Sequence, residues 1–250
     1  MPHDNDPCFE GSELKGYKRQ NVPITAQPGL VQTPPEWVIA SPNIPTCPPG
    51  LEYLTTVDQL LINKKVENFI CFKTNNKYVV NNAIGQKAYN VLEDTDCCTR
   101  NCSGPSRPFN MRIFDNFQKE VIHLYRPLAC SACCFPCCLQ SIEISAPSGQ
   151  VIGRVEQEWM LFAPSFRIKD ANDETVLRIE GPYGAQSCCN DVNFNVVSLD
   201  GDVIGKISKK WSGFIRELFT DANCFGINFP MDLDVCIKAV LLGATFLIVI

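Results

Sequence analysis

The stretch "FRIKDANDETVLRI", Phe166 to Ile179, decides how this chain is read. Phe166 and Ile168 alternate with charged residues, the polar run Asp170 to Asp173 follows, and Val176, Leu177 and Ile179 restore an apolar side. Period-two alternation on both sides of a short polar segment marks a β-hairpin with one face buried. The same layout recurs in "MRIFDNFQKEVIHL" from Met111, "IEISAPSGQVIGRV" from Ile142 and "FNVVSLDGDVIGKI" from Phe194. An earlier unit, "FKTNNKYVVNNAIGQKAYNVLED" from Phe72, adds strand pairs around Asn75-Asn76 and Gly85-Gln86. Hairpins in series make a meander, and so many antiparallel strands leave exposed edges unless the sheet closes. The expectation is a mostly β fold, a barrel or a sandwich.

With 250 residues, 45% of them hydrophobic, the chain can bury a sizeable core, and one main domain is expected. Ten of the 18 prolines precede Gly50, in segments such as "TPPEW" and "SPNIPTCPPG", where neither a helix nor a central strand fits. Residues 1–46 therefore read as a flexible Pro-containing leader and 47–250 as the β domain. Pro42-x-x-Pro45 and Pro45-x-x-Pro48 have polyproline II spacing, which offers the leader to protein partners, although a plain linker has the same composition. A net charge of −5 supplies no basic field for nucleic acid, and no specific nucleic-acid binding is expected. The N-terminal residues lack an apolar signal region, and the 15 cysteines include vicinal pairs such as Cys97-Cys98 and Cys188-Cys189. An odd count with adjacent thiols argues for a reducing, cytosol-facing setting. Asn101-Cys102-Ser103 matches a glycosylation sequon that works only in the secretory lumen.

Catalysis of the usual kinds finds no support. The two histidines are His3, in the leader, and His123, in an expected strand with an outward side chain. No nucleophile motif, phosphate-cradling loop or paired acid signature appears, so the chain is not expected to be an enzyme.

Two segments depart from the hairpin pattern. "AVLLGATFLIVI", Ala239 to Ile250, is continuously apolar, and with the preceding "VCIK" it makes a run of sixteen residues holding one lysine. A membrane span needs roughly 20 residues, so this helix, over about 235–250, reads as short for crossing a bilayer. Val240, Leu241, Leu242, Phe246, Leu247 and Ile248 are its candidate membrane or barrel-core residues. The second departure is "CCFPCC", Cys133 to Cys138, where Pro136 keeps the segment out of a regular strand. Its thiols suit three fates. They carry thioester-linked acyl chains, or hold zinc through the spacings Cys130-x-x-Cys133 and Cys134-x-x-Cys137, or stay unmodified.

Several segments together resemble the phospholipid scramblase family. They are "CPPGLEYL" from Cys47, "TNNKY" from Thr74, "EDTDCCTRNCSGPSRPF" from Glu93, the CCFPCC run, "GKISKKWSGF" from Gly205 and "FTDANCFGINFPMDLDV" from Phe219. The resemblance covers essentially the whole chain after Cys47, in family order. It implies a Tubby-like architecture, a closed barrel of roughly twelve antiparallel strands around the C-terminal helix. It also implies calcium-dependent, ATP-independent, bidirectional movement of phospholipids between leaflets.

The resemblance carries further expectations residue by residue. Palmitoylation falls on Cys133, Cys134, Cys137 and Cys138, fixing the protein to the cytoplasmic face of the plasma membrane or endomembranes. Calcium falls on Asp221, Asn223, Ile227 and Asp232, which take the first, third, seventh and twelfth places of a cation loop with Gly226 at its turn. Phe225 and Phe229 supply no oxygen at the intervening places, so a weak site, or an apolar turn feeding the helix, is expected. Lys206, Lys209, Lys210, Trp211 and Arg216 form a basic segment suited to an importin or to anionic lipid headgroups. Nuclear entry of the non-acylated protein, a calcium-induced oligomer, and an adaptor role without lipid movement complete the expectations.

Overall fold

Five hairpin turns in this chain are copies of one structure. Each begins on a residue whose carbonyl accepts from the N–H three positions on, while its own N–H donates to the carbonyl four positions on: Asn82, Asp115, Ala146, Asp170 and Ser198. The fourth residue of each lies at positive φ, at Gly85, Gln118, Gly149, Asp173 and Gly201. A one-residue register shift sits at or next to each turn, between Val80 and Asn81, for example, and between Ile168 and Lys169. This is a type I turn followed by a bulge, which matches the right-handed twist of the strands it joins. Side chains lock four of the five. The Oδ1 atoms of Asp115 and Asp170 each accept two backbone N–H bonds at 2.8–2.9 Å, Asn82 Oδ1 accepts from Ile84 and Gln86, and Ser198 Oγ accepts from Asp202.

The computed structural model describes residues 47–65, 76–94, 107–129, 139–160, 163–182, 193–209 and 224–249, all within the unit spanning 34–250. A 3-10 helix, Glu52–Thr56, leads into β1 (Gln59–Lys65), β2 (Lys77–Asn82), β3 (Lys87–Asp94), β4 (Phe109–Phe114), β5 (Glu120–Arg126) and β6 (Ser141–Ser145). There follow β7 (Val151–Glu158), β8 (Ser165–Lys169), β9 (Thr175–Glu180), β10 (Asn193–Ser198), β11 (Val203–Lys209), β12 (Cys224–Asn228) and the helix α1 (Val235–Val249). Every strand pairs antiparallel with its neighbour in sequence, and β12 pairs with β1 to close a barrel of twelve strands. The expected closed barrel is therefore what forms, and closure leaves no edge exposed.

Inside the cylinder, α1 replaces water. It is apolar on all sides, as a helix must be when every side faces a core, and it is buried from Ile237 through Leu247. The expected choice between membrane and barrel core falls to the core for Val240, Leu241, Leu242, Phe246 and Leu247, with Ile248 partly buried against the same cluster. The helix lies against β6 and β7. Gly243 permits this approach, since a Cβ there would stand 2.7 Å from Ile144 Cγ1. Phe246 meets Tyr78 edge to face at 5.5 Å between centroids. Asp234 caps the helix, its Oδ1 accepting from Cys236 and Ile237 at 2.9 and 3.1 Å.

The outer wall is the opposite of the interior. Arg154 pairs with Glu143 at 2.9 Å, Lys169 with Glu156 at 2.9 Å, and Arg112 with Asp94 at 3.3 Å. A lipid-facing barrel wall is apolar outside, so these strands are built for water. Among the described residues no helix is long and apolar enough to cross a membrane.

Candidate functional site

An up-and-down barrel has two rims, and this chain divides its labour between them. The five tight turns, the 3-10 helix and the entry to α1 lie at the first rim. The chain between β1 and β2, β3 and β4, β5 and β6, β7 and β8, β9 and β10, and β11 and β12 joins strands at the second. The cysteine run falls between β5 and β6, and Lys210, Trp211, Arg216, Asp221 and Asn223 fall between β11 and β12. Cys133, Cys134, Cys137, Cys138, Lys210, Trp211, Arg216, Asp221 and Asn223 all lie outside the described residues, as do Cys130 and the sequon at Asn101. Lys206 and Lys209 are on β11, and the Lys206 side chain is half-buried on the outer face.

The expected calcium loop is not a loop where it is described. Ile227 pairs with Leu60 on β1 and with Ile207 on β11, so its backbone belongs to the sheet. Asn223 precedes β12 and Asp232 follows it, and the five-residue strand between them rises about 16 Å. A closed twelve-residue loop around one ion does not fit that span, because Phe225, Ile227 and Phe229 alternate into the core. Among the described residues no group of three or more His, Cys, Asp or Glu side chains is placed to hold a metal.

Two buried polar centres went unnoticed in the sequence. At the first rim, Lys238 of α1 is 0% exposed. Its Nζ donates to the carbonyls of Leu54, Val57 and Met231 at 3.0, 3.0 and 2.7 Å, and lies 5.3 Å from the Phe229 ring centroid. Three carbonyls and a ring face take the place of water around the ammonium. Burial lowers the Lys238 pKa, and the carboxylates of Asp58 and Asp232 oppose that shift. At the second rim Glu93, 1% exposed, follows the inward residues Tyr89 and Val91 on β3. Arg107 Nε and Nη2 donate to its Oε1 at 3.1 and 2.9 Å, and Asn76 Nδ2 donates to Oε2. The Arg126 guanidinium stands 5.3 Å from the Phe109 ring centroid, and burial followed by the charge of Arg107 lowers its pKa. One carboxylate and two guanidiniums thus close the inner end of this rim.

A closed β cylinder of twelve strands with a charged outer wall, filled by a single apolar helix, defines a class of protein. The family model described as Scramblase matches residues 39–249, and the chain belongs to that family. It is 56% identical over 237 residues to phospholipid scramblase 2 of Bos taurus, covering 93% of this chain and 80% of that protein. Identity with phospholipid scramblase 1 of Homo sapiens is 56% over 216 residues, covering 85% and 68%. Phospholipid scramblase family member 5 of Homo sapiens is 42% identical over 234 residues, covering 91% and 86%. Among solved structures, none matches the chain.

Proposed function

We propose that this protein moves phospholipids between membrane leaflets in both directions, without ATP and in response to calcium, held to the membrane by acyl chains on Cys133, Cys134, Cys137 and Cys138. The observation that carries the reading is membership of a family whose curated relatives are named phospholipid scramblases. Two or more acyl chains anchor stably where one does not. The lumen is filled by α1, which leaves no path through the barrel for a headgroup. Lipid movement must then occur beside the protein, where a thinned or distorted bilayer, or the seam of an oligomer, lowers the cost of carrying a polar headgroup through hydrocarbon. Calcium enters through the segment that begins at Asp221 and Asn223 and runs on to Asp232.

The test is a vesicle assay with a fluorescent lipid, using acylated protein verified by intact mass, with and without calcium. Faster exchange between leaflets in calcium is expected. Unchanged exchange with fully acylated protein overturns the reading.

The filled lumen favours one other reading, a membrane and nuclear adaptor that binds protein partners through its leader. On it, Cys→Ala changes across Cys133 to Cys138 move the protein into the nucleus by way of an importin. Lys206→Ala, Lys209→Ala and Lys210→Ala together then block the move. Localisation indifferent to both sets removes it.

A further inference from the structure

At the second rim, large apolar side chains reach solvent. Leu128, just past β5, is 67% exposed; Trp159 and Met160, just past β7, are 48% and 49% exposed. One strand separates β5 from β7, which sets Leu128 and Trp159 on the order of 10 Å apart. The base beneath them is fixed, since Gln157 N donates to Gln140 O at 2.8 Å and Gln140 N to Gln157 Oε1 at 3.1 Å. On the opposite arc of the same rim, Lys64 and Lys65 end β1 and Lys77 opens β2. The first rim has the contrary charge, with Asp58, Asp115, Asp170, Asp200, Asp202 and Asp232 in its turns. An anionic surface attracts one end of this molecule and repels the other.

We propose that the second rim is a docking face for an anionic phospholipid bilayer, with Trp159, Met160 and Leu128 entering the interfacial layer while Lys64, Lys65 and Lys77 meet headgroups. This rests on the membrane reading above and names the surface that reading uses. Tryptophan suits the boundary between hydrocarbon and water, and lysine reaches headgroups with its stem against apolar surface. The arrangement fits a plane better than a protein partner. The apolar residues stand on two connections of a rim, after β5 and after β7, instead of clustering in one central pocket. Depth is limited by the wall, where Arg167 and Glu158 pair at 3.5 Å just below Trp159.

The chain has three tryptophans, so Trp37→Phe and Trp211→Phe in the full chain leave Trp159 as reporter. Vesicles of phosphatidylcholine and phosphatidylserine with brominated acyl chains are mixed with acylated protein and with the same protein after hydroxylamine removes thioesters. Trp159 emission is expected to shift blue and be quenched in both forms. In the thioester-free form, Trp159→Ser with Met160→Ser is expected to weaken vesicle binding at least tenfold, and Lys64→Gln and Lys65→Gln about fivefold each. Phe117→Ser, at the first rim, is expected to change nothing. Acylated protein that binds vesicles while Trp159 stays in water overturns the rim but leaves the acyl anchor standing. Binding as sensitive to Phe117→Ser as to Trp159→Ser overturns the choice of end. Failure of both forms to bind overturns the rim together with the membrane reading.

Discussion

The two rims of this barrel obey different rules. At the first, five hairpins repeat one turn, fixed by its backbone bonds, by acceptors such as the Asp115 and Asp170 carboxylates, and by a positive φ at its fourth residue. At the second, longer segments join the strands, and the cysteine run and Lys210, Trp211, Arg216, Asp221 and Asn223 fall within them. One rim is spent on geometry, which leaves the other available for chemistry. Under the function proposed above, the residues that serve it collect where the chain has length to spare between fixed ends.

The contrast is sharpened most by Lys238. Lys238→Ala leaves the carbonyls of Leu54, Val57 and Met231 without their donor, and a loss of about 3–5 kcal/mol is expected by urea denaturation. A loss under about 1 kcal/mol means that water replaces the ammonium and the first rim is not sealed. The matching test at the second rim is Glu93→Gln, which strips the charge facing Arg107. We expect about 3 kcal/mol, read the same way. Should it be neutral, order at that rim ends at the last strand residues.

Smaller effects probe the turns themselves. Asp115→Ala and Asp170→Ala are each expected to cost about 1 kcal/mol, seen as a lower melting temperature. Alkaline pH reads the packing around Cys47, whose thiol is pushed from 9.0 up to about 11, first by burial and then by Glu52. Between those values the folded chain holds a proton that the unfolded chain has released, so the thiol's stabilising contribution falls as pH rises. The lowered pKa of Lys238 acts in the other sense. Hence the stability difference between the chain and its Cys47→Ala variant, which isolates the thiol, should shrink from pH 9 to 11. Last, Ala146 is the one first-turn residue with no side-chain acceptor. Ala146→Asp should add about 0.5 kcal/mol by copying Asp115. No gain would show that the turns are less alike than their backbones.

The hairpins were legible because their signal is local. The four segments read from Phe166 and its relatives became β4–β5, β6–β7, β8–β9 and β10–β11, with turns where the polar runs stand. β12 is harder to read in the sequence, because Asp221, Asn223, Gly226 and Asp232 carry the spacing of a cation loop. The competing signal, Phe225-x-Ile227-x-Phe229 at period two, was present and decided the backbone. Lys238 and Glu93 were invisible for another reason. Their partners lie far away in sequence, Leu54 at a separation of 184 residues and Arg107 at 14, and no local pattern announces that a charge will find carbonyls or a guanidinium across a barrel. Whether the apolar run crosses a bilayer or fills the barrel was equally a question of closure, which only the strand order answers.

Placing the filler after the wall has a cost in time. The seam of the cylinder joins Gln59 to Asn228, and the helix that occupies its axis is made only after both partners of that seam exist. Until α1 arrives, a nascent chain holds a half-finished sheet with two unsealed margins and a greasy hollow, and pairing across such a separation is slow. A chain held in that interval exposes apolar surface and unpaired strand margins together, the condition under which folding intermediates aggregate.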